Sequence, residues 1–232
     1  MIIYINGYWN RFIGLFGISP GSPAVSYWSH FSPVFISSSF KFMGGSENEV
    51  KYFIDGSSLF GIDQPAADRY LHGSRYAQEH YQELTGSLKP AEDFKIISHS
   101  EGCAFAAGMA AFLISHGCLV QKILYLSPRE GDVFVNPRGA FAIQVYYCND
   151  PICFPKRISE VTVFINLLKL DDKKASLINA HGGTVKESTI KKVQKILKLL
   201  PQDVNSKMVE GHWTITETLK GYDFLREVEL IS

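Results

Sequence analysis

Ser100 stands in Phe94-Lys95-Ile96-Ile97-Ser98-His99-Ser100-Glu101-Gly102-Cys103-Ala104, where a short apolar run meets a polar cluster and passes at once into a Gly/Ala-rich helical pattern. That order predicts strand, tight turn, helix. A serine on such a turn carries its oxygen at the carboxyl end of the strand, and the first N–H groups of the helix point to the same spot. The chemistry this suits is attack on an acyl carbon. The pattern is Ser-x-Ser-x-Gly, in which the position two before Ser100 must be small because the turn brings it against the following helix. Ser98 is only a little larger than glycine, and Gly102 fills the second small position. A serine-rich surface turn ahead of an ordinary core helix would have the same local sequence, so residues elsewhere in the chain decide.

A serine hydroxyl is a weak nucleophile until an imidazole takes its proton, and the imidazole needs an acceptor to fix its tautomer. Asp150, in Asn149-Asp150-Pro151, directly follows the apolar run Phe141 to Cys148. Ligands of an open α/β sheet meet the carboxyl ends of its strands, so Asp150 is expected on the same rim as Ser100. Of the seven histidines, His99 should face away from its neighbour on a tight turn, and His30, His72, His80 and His116 precede the acid or sit on ordinary helices. Two candidates for the base remain. His181, in Asn179-Ala180-His181-Gly182-Gly183, suits a fold whose last core strand is 161 to 170. His212, behind Gly211, requires a later strand near 207 to 209 and a helix after it, and its place near the end of the chain makes it the preferred base.

These residues need a sheet to position them. Ile2 to Ile5, Glu49 to Asp55, Phe94 to Ser98, Lys122 to Pro128 and Phe141 to Cys148 read as strands, each a nearly continuous apolar run. Helical patterns follow Pro65 as far as Gly86, and follow Ser100 as far as Gly117. Such alternation predicts an α/β fold, a mostly parallel sheet flanked by helices on both faces. Gly7, directly after the first strand, frees the backbone to approach a ligand closely. Val161 to Leu170 is readable as strand or helix. Thr184 to Leu200 is an amphipathic helix with a lysine-rich solvated face, and a helix-like segment is expected through Leu225. Residues 12 to 45 show neither period and carry eight aromatic residues among Gly, Ser and Pro. We read them as an irregular, lid-like insertion favouring apolar acyl groups and allowing membrane contact, or alternatively as a cap on the core.

The chain has 232 residues, 46% hydrophobic and 20% charged, which suits one folded domain spanning 1 to 232. With 23 basic and 23 acidic side chains, nothing steers it toward nucleic acid. Cys103, Cys118, Cys148 and Cys153 are too few and too scattered for a disulfide scaffold, and no His/Cys set has zinc spacing. No signal peptide or membrane-spanning run is evident, so a cytoplasmic location is the default expectation, with signal-less export or excision from a longer polypeptide also compatible.

With Ser100, Asp150 and His212 in that order, the chain resembles the α/β-hydrolase superfamily, and within it the lipase and esterase types. Bacterial members, including lipase-like modules of secretion-system effectors, are similar in Ile5-Asn6-Gly7-Tyr8 and Ser98-His99-Ser100-Glu101-Gly102. The likeness covers roughly residues 1 to 150, plus His212, and implies an N-terminally reduced version of that fold. It implies Ser100 as nucleophile, His212 as base and Asp150 as orienting acid. The N–H groups of Glu101 and of Gly7 or Tyr8 would make the oxyanion hole. A small-molecule or lipid ester would be the substrate, with no metal or organic cofactor required. A thioesterase or amidase on the same machinery, and a non-catalytic binding protein of the same fold, are the alternatives.

Overall fold

The computed structural model describes residues 1–7, 23–46, 48–56, 64–86, 93–148, 150, 157–167, 184–200, 212–218 and 220–227. Strands β1 (Ile2–Asn6), β2 (Lys51–Asp55), β3 (Phe94–His99), β4 (Val120–Leu126), β5 (Phe141–Tyr147), β6 (Val163–Leu167), β7 (His212–Thr218) and β8 (Gly221–Glu227) form one sheet. Their order is β2-β1-β3-β4-β5-β6-β7-β8. All pair in parallel except β8, which runs back along β7. Every residue of β1 and of β3 is buried, as a strand covered on both faces requires. The chain steps from β1 outward to β2 and then returns to the other side of β1 as β3. The carboxyl ends of β1 and β3 therefore flank the point where the winding reverses, the usual place for a ligand crevice in such sheets.

Helices α1 (Pro23–Phe31), α2 (Phe35–Phe42), α3 (Ala66–Glu79), α4 (Tyr81–Gly86), α5 (Gly102–Ser115) and α6 (Glu187–Leu199) complete the described elements. On one face α3 and α5 pack with Ile3, Ile5, Ile96 and Ile123. On the other, α1, α2 and α6 cover Ile2, Tyr4, Ile97, Leu124 and Val145. Successive strand residues alternate between the two clusters, as the period of two demands. No helix among the described residues is long and apolar enough to cross a membrane.

The small residues of α5 serve a helix crossing as well as contact with the sheet. A Cβ on Gly73 of α3 would lie 1.9 Å from the Phe105 carbonyl oxygen, and one on Gly108 of α5 would lie 1.8 Å from that of Tyr70. Backbone touches backbone there, and only glycine at both places permits it. Gly117 stops α5 as expected, at φ +80 with its N–H donated to Ile114.

Two expectations are corrected. The described part of 12–45 is two helices whose Tyr27, Trp28, Phe35 and Phe40 are core residues. Trp28 stacks on Phe35 at 5.4 Å, so these described aromatics fit the core-cap alternative, and the helices replace the irregular segment expected; Phe12 and Phe16 lie outside the described residues. The reason is tertiary: Tyr4 and Ile97 on the open face of the sheet bury these rings although the local sequence lacks a helical period. Likewise the described residues of 212–227 form the β7–β8 hairpin where a helix was expected. The β-branched Thr214-Ile215-Thr216 run and Gly221 at φ +142 after the turn favour strands there. Of the ambiguous 161–170 segment, Val163–Leu167 is strand β6, and 168–170 lie outside the described residues.

Candidate active site

Ser100 follows β3 and precedes α5 by two residues, and its backbone sits at φ +56. A left-handed conformation costs a non-glycine residue about 1–2 kcal/mol, so the surrounding structure must hold it. Ser100 donates its N–H to Leu126 at 2.9 Å, tying the turn to the end of β4. Its carbonyl accepts from Arg129 at 3.3 Å and from Cys103 at 3.2 Å. Ser100 is buried, with 6% of its surface exposed. Ser98 keeps the small position by turning its hydroxyl toward Cys103 Sγ and the Leu124 carbonyl, both at 3.4 Å.

Gly7, at the end of β1, faces this turn. A Cβ there would stand 2.6 Å from Ser100 Cβ, 2.8 Å from the His99 carbonyl and 3.2 Å from Ser100 Oγ. A Cβ on Gly102 would meet the Asn6 carbonyl at 2.4 Å, so the β1 turn and the start of α5 fit together only with glycine at both positions. Asn6 Nδ2 donates to the Gly7 carbonyl at 2.9 Å and to Asp55 Oδ1 at 2.7 Å. Tyr8 lies outside the described residues. Glu101 contributes the first backbone N–H beyond Ser100, at the positive end of the α5 dipole.

The Glu101 side chain is turned away into a partly buried ion cluster that the sequence reading missed. Its Oε1 accepts from Arg129 and lies 3.8 Å from Arg69 Nη1, while Arg69 Nη2 donates to Glu130 Oε2 at 2.7 Å. This clamps the start of α5 to α3 and to the chain after β4. A charged residue on the buried stripe Ala66, Arg69, Gly73, Ala77 was the available signal.

Asp150 is 1% exposed and its N–H donates to the Tyr147 carbonyl at 2.9 Å, which fixes it at the carboxyl end of β5. That end lies two strands from Ser100, roughly 10 Å at ordinary strand spacing. Between them, at the end of β4, Ser127 takes φ +44 and accepts a hydrogen bond from Thr184 Oγ1 at 3.1 Å. The chain entering α6 is thereby anchored on the same rim. His181 lies outside the described residues, three positions before Thr184.

His212 opens β7, and the next residue, Trp213, pairs with Val163, the first residue of β6. The parallel direction puts the His212 backbone on the amino edge of the sheet, opposite the rim of Ser100 and Asp150. It is also four strands from β3, about 19 Å across. The expected strand near 207 to 209 lies outside the described residues, and no strand-to-helix loop follows His212. This corrects its placement beside Ser100: alternating β-branched residues after it build a strand where a helix was expected.

His99 is buried and, as expected, faces away from the rim, its Nδ1 hydrogen-bonded to the Tyr27 hydroxyl. Cys103 is fully buried, and burial pushes its thiol up to about 12, which leaves it inert at neutral pH.

No protein-family model matches the chain, and no curated protein matches it. Among solved structures it is similar to a Lactobacillus plantarum WCFS1 protein described as a "putative cell surface hydrolase". The identity is 11%, the match covers 89% of this chain and 95% of that one, and the TM-score is 0.40. A likeness of that order leaves the chemistry to be read from this chain's own residues.

Proposed function

We propose that the chain is a serine hydrolase of the α/β-hydrolase type that cleaves carboxylic esters. The observation that carries this is Ser100 in a left-handed turn at the winding reversal of a parallel sheet, with Gly7 packed against its side chain. Ser127, Glu130 and Glu160 share the left-handed conformation, but of the four Ser100 alone stands between a strand and a helix. In this reading Ser100 Oγ attacks the ester carbonyl carbon while a histidine takes the hydroxyl proton. The oxygen of the tetrahedral intermediate accepts from the Glu101 N–H and from an amide of the β1 turn, Gly7 or Tyr8. Collapse breaks the bond to the alcohol, which leaves with the proton from the imidazolium. Water, deprotonated by the same histidine, then attacks the acyl carbon and releases the acid and Ser100. Asp150 orients the imidazole.

We assign the base to His181 in place of His212. Three residues of chain reach at most about 11 Å, and Thr184 is held at Ser127 between the ends of β3 and β5. His212 starts its strand at the far edge.

A fluorophosphonate probe and a chromogenic short-chain ester test both statements. Wild type should be labelled and Ser100→Ala should not, with its circular dichroism unchanged. His181→Ala should lower kcat by roughly 10⁴-fold or more, whereas His212→Ala should stay within about twofold. A folded wild type that neither takes the probe nor hydrolyses esters favours the non-catalytic binding protein. A hydrolase disabled by His212→Ala and untouched by His181→Ala refutes the base assignment.

A further inference from the structure

Glu101 carries two groups with opposite effects on an acyl-transfer step. Its backbone N–H, next to Ser100, can stabilise a developing oxyanion, whereas a full negative charge nearby opposes the same step. A carboxylate at the start of a helix is also drawn to the unpaired amides of the first turn. Glu101 is the N-cap residue of α5, yet its side chain makes no such bond. The carboxylate is 3% exposed and is held by guanidinium groups from two other stretches of chain. Arg129 Nη1 donates to Glu101 Oε1, and Arg69 Nη1 stands 3.8 Å from the same oxygen. Arg129 grips the turn a second time by donating its backbone N–H to the Ser100 carbonyl at 3.3 Å. Arg69 is braced from α3, since Glu130 Oε2 accepts both from its Nη2 at 2.7 Å and from the Ala66 N–H at 3.1 Å.

We propose that Arg129, backed by Arg69, is a positioning residue that draws the Glu101 carboxylate off the start of α5 and offsets its charge. The Glu101 N–H is thereby left to the ester oxygen without a competing anion. This inference rests on the hydrolase reading and deepens it, by giving the ion cluster a part in the chemical step. A carboxylate on the residue after Ser100 can lie within roughly 8 Å of the oxyanion's place. At that distance and an effective dielectric of about 20, an uncompensated charge slows formation of the oxyanion by about 30-fold. Water screens little of it, because the carboxylate is almost covered. Arg69, shared with Glu130, would offset part of the charge if Arg129 were lost, which leaves an expected effect of about 10-fold.

The ester carbonyl is uncharged before attack, so the effect should fall on kcat and spare KM. The Arg129 side chain is 32% exposed and can be replaced without opening the core. Arg129→Gln should lower kcat for a chromogenic ester by about 10-fold per site titrated with the fluorophosphonate probe, with KM within about twofold. Arg129→Lys keeps the charge and should stay within about threefold of wild type. In a Glu101→Gln background no carboxylate remains to be offset, and the same Arg129→Gln change should cost less than about twofold. A purely structural clamp would lower the melting temperature in both backgrounds and leave kcat per titrated site unmoved. Should Arg129→Gln fail to fold, Arg129→Ser, which admits water to the carboxylate, takes its place with an expected loss of about 5-fold. A labelled wild type whose Arg129 variants keep the full kcat, or lose as much with Gln at 101 as with Glu, overturns the positioning role and leaves the hydrolase reading intact. An unlabelled wild type overturns both.

Discussion

Gly108→Ala sets two effects of opposite sign against each other. In a helix interior the change gains about 1 kcal/mol of intrinsic propensity. Against this, the new methyl would lie 1.8 Å from the Tyr70 carbonyl oxygen and 2.7 Å from its carbon, where real Cβ atoms essentially never approach within 3.0 Å. The obstacle is main chain, so no rotamer change relieves it, and α3 and α5 must part by more than about 1 Å. Overpacking costs 1–3 kcal/mol even where side chains can yield, which puts this site at about 3 kcal/mol or above. The net loss should be about 2 kcal/mol or more, lowering the melting temperature by roughly 4–8 °C for a chain of this length. Urea and thermal unfolding measure it directly. Gly86→Ala, at the end of α4 with nothing within 4 Å of the added carbon, is the control and should stay within about 0.5 kcal/mol. If Gly108→Ala proves as stable as wild type or more so, the close helix crossing is not as described. Because α5 begins two residues after Ser100, parting the helices should also lower the proposed ester hydrolysis in the folded fraction.

Ser100→Gly should stabilise the fold by about 1 kcal/mol while abolishing labelling, since glycine accepts φ +56 without strain; unchanged or lower stability in urea would argue against a strained turn. At alkaline pH the buried tyrosines govern stability. Burial raises Tyr27 and Tyr125 well above their ordinary value and Tyr146 to about 12. A group raised on folding keeps its stabilising effect below its unfolded value of 10 and loses it as pH climbs through the folded one. Stability should therefore fall steadily above pH 10, and tyrosinate absorbance should rise together with the loss of far-ultraviolet circular dichroism. Absorbance rising well before unfolding would mean those hydroxyls reach solvent.

The Ser100 turn was legible because strand, turn and helix each left their own mark within fifteen residues, and the small positions Ser98 and Gly102 constrain the backbone directly. Asp150 was legible for the same reason, as a polar break at the end of an apolar run. What escaped was set by distant contacts. Helices α1 and α2 are made by burial of Trp28 and Phe35 against β1 and β3, which no local period announces. The Arg69–Glu101–Glu130 cluster joins three separate stretches of chain. His212 illustrates the weakness of reasoning from order alone: its place near the end of the chain suggested a base, but whether a residue opens or closes a strand decides which rim it occupies. The hairpin character of 212–227 hangs on alternating Thr and Ile residues whose neighbours Trp213 and Tyr222 also fit a helix.

Because β8 alone runs against the others, the polypeptide enters β1 and leaves β8 on the same side of the sheet, since Glu227 pairs with His212 at the start of β7. The serine lies on the other side. A fused reporter or a solid support joined past β8 would thus start from the side of the sheet opposite Ser100.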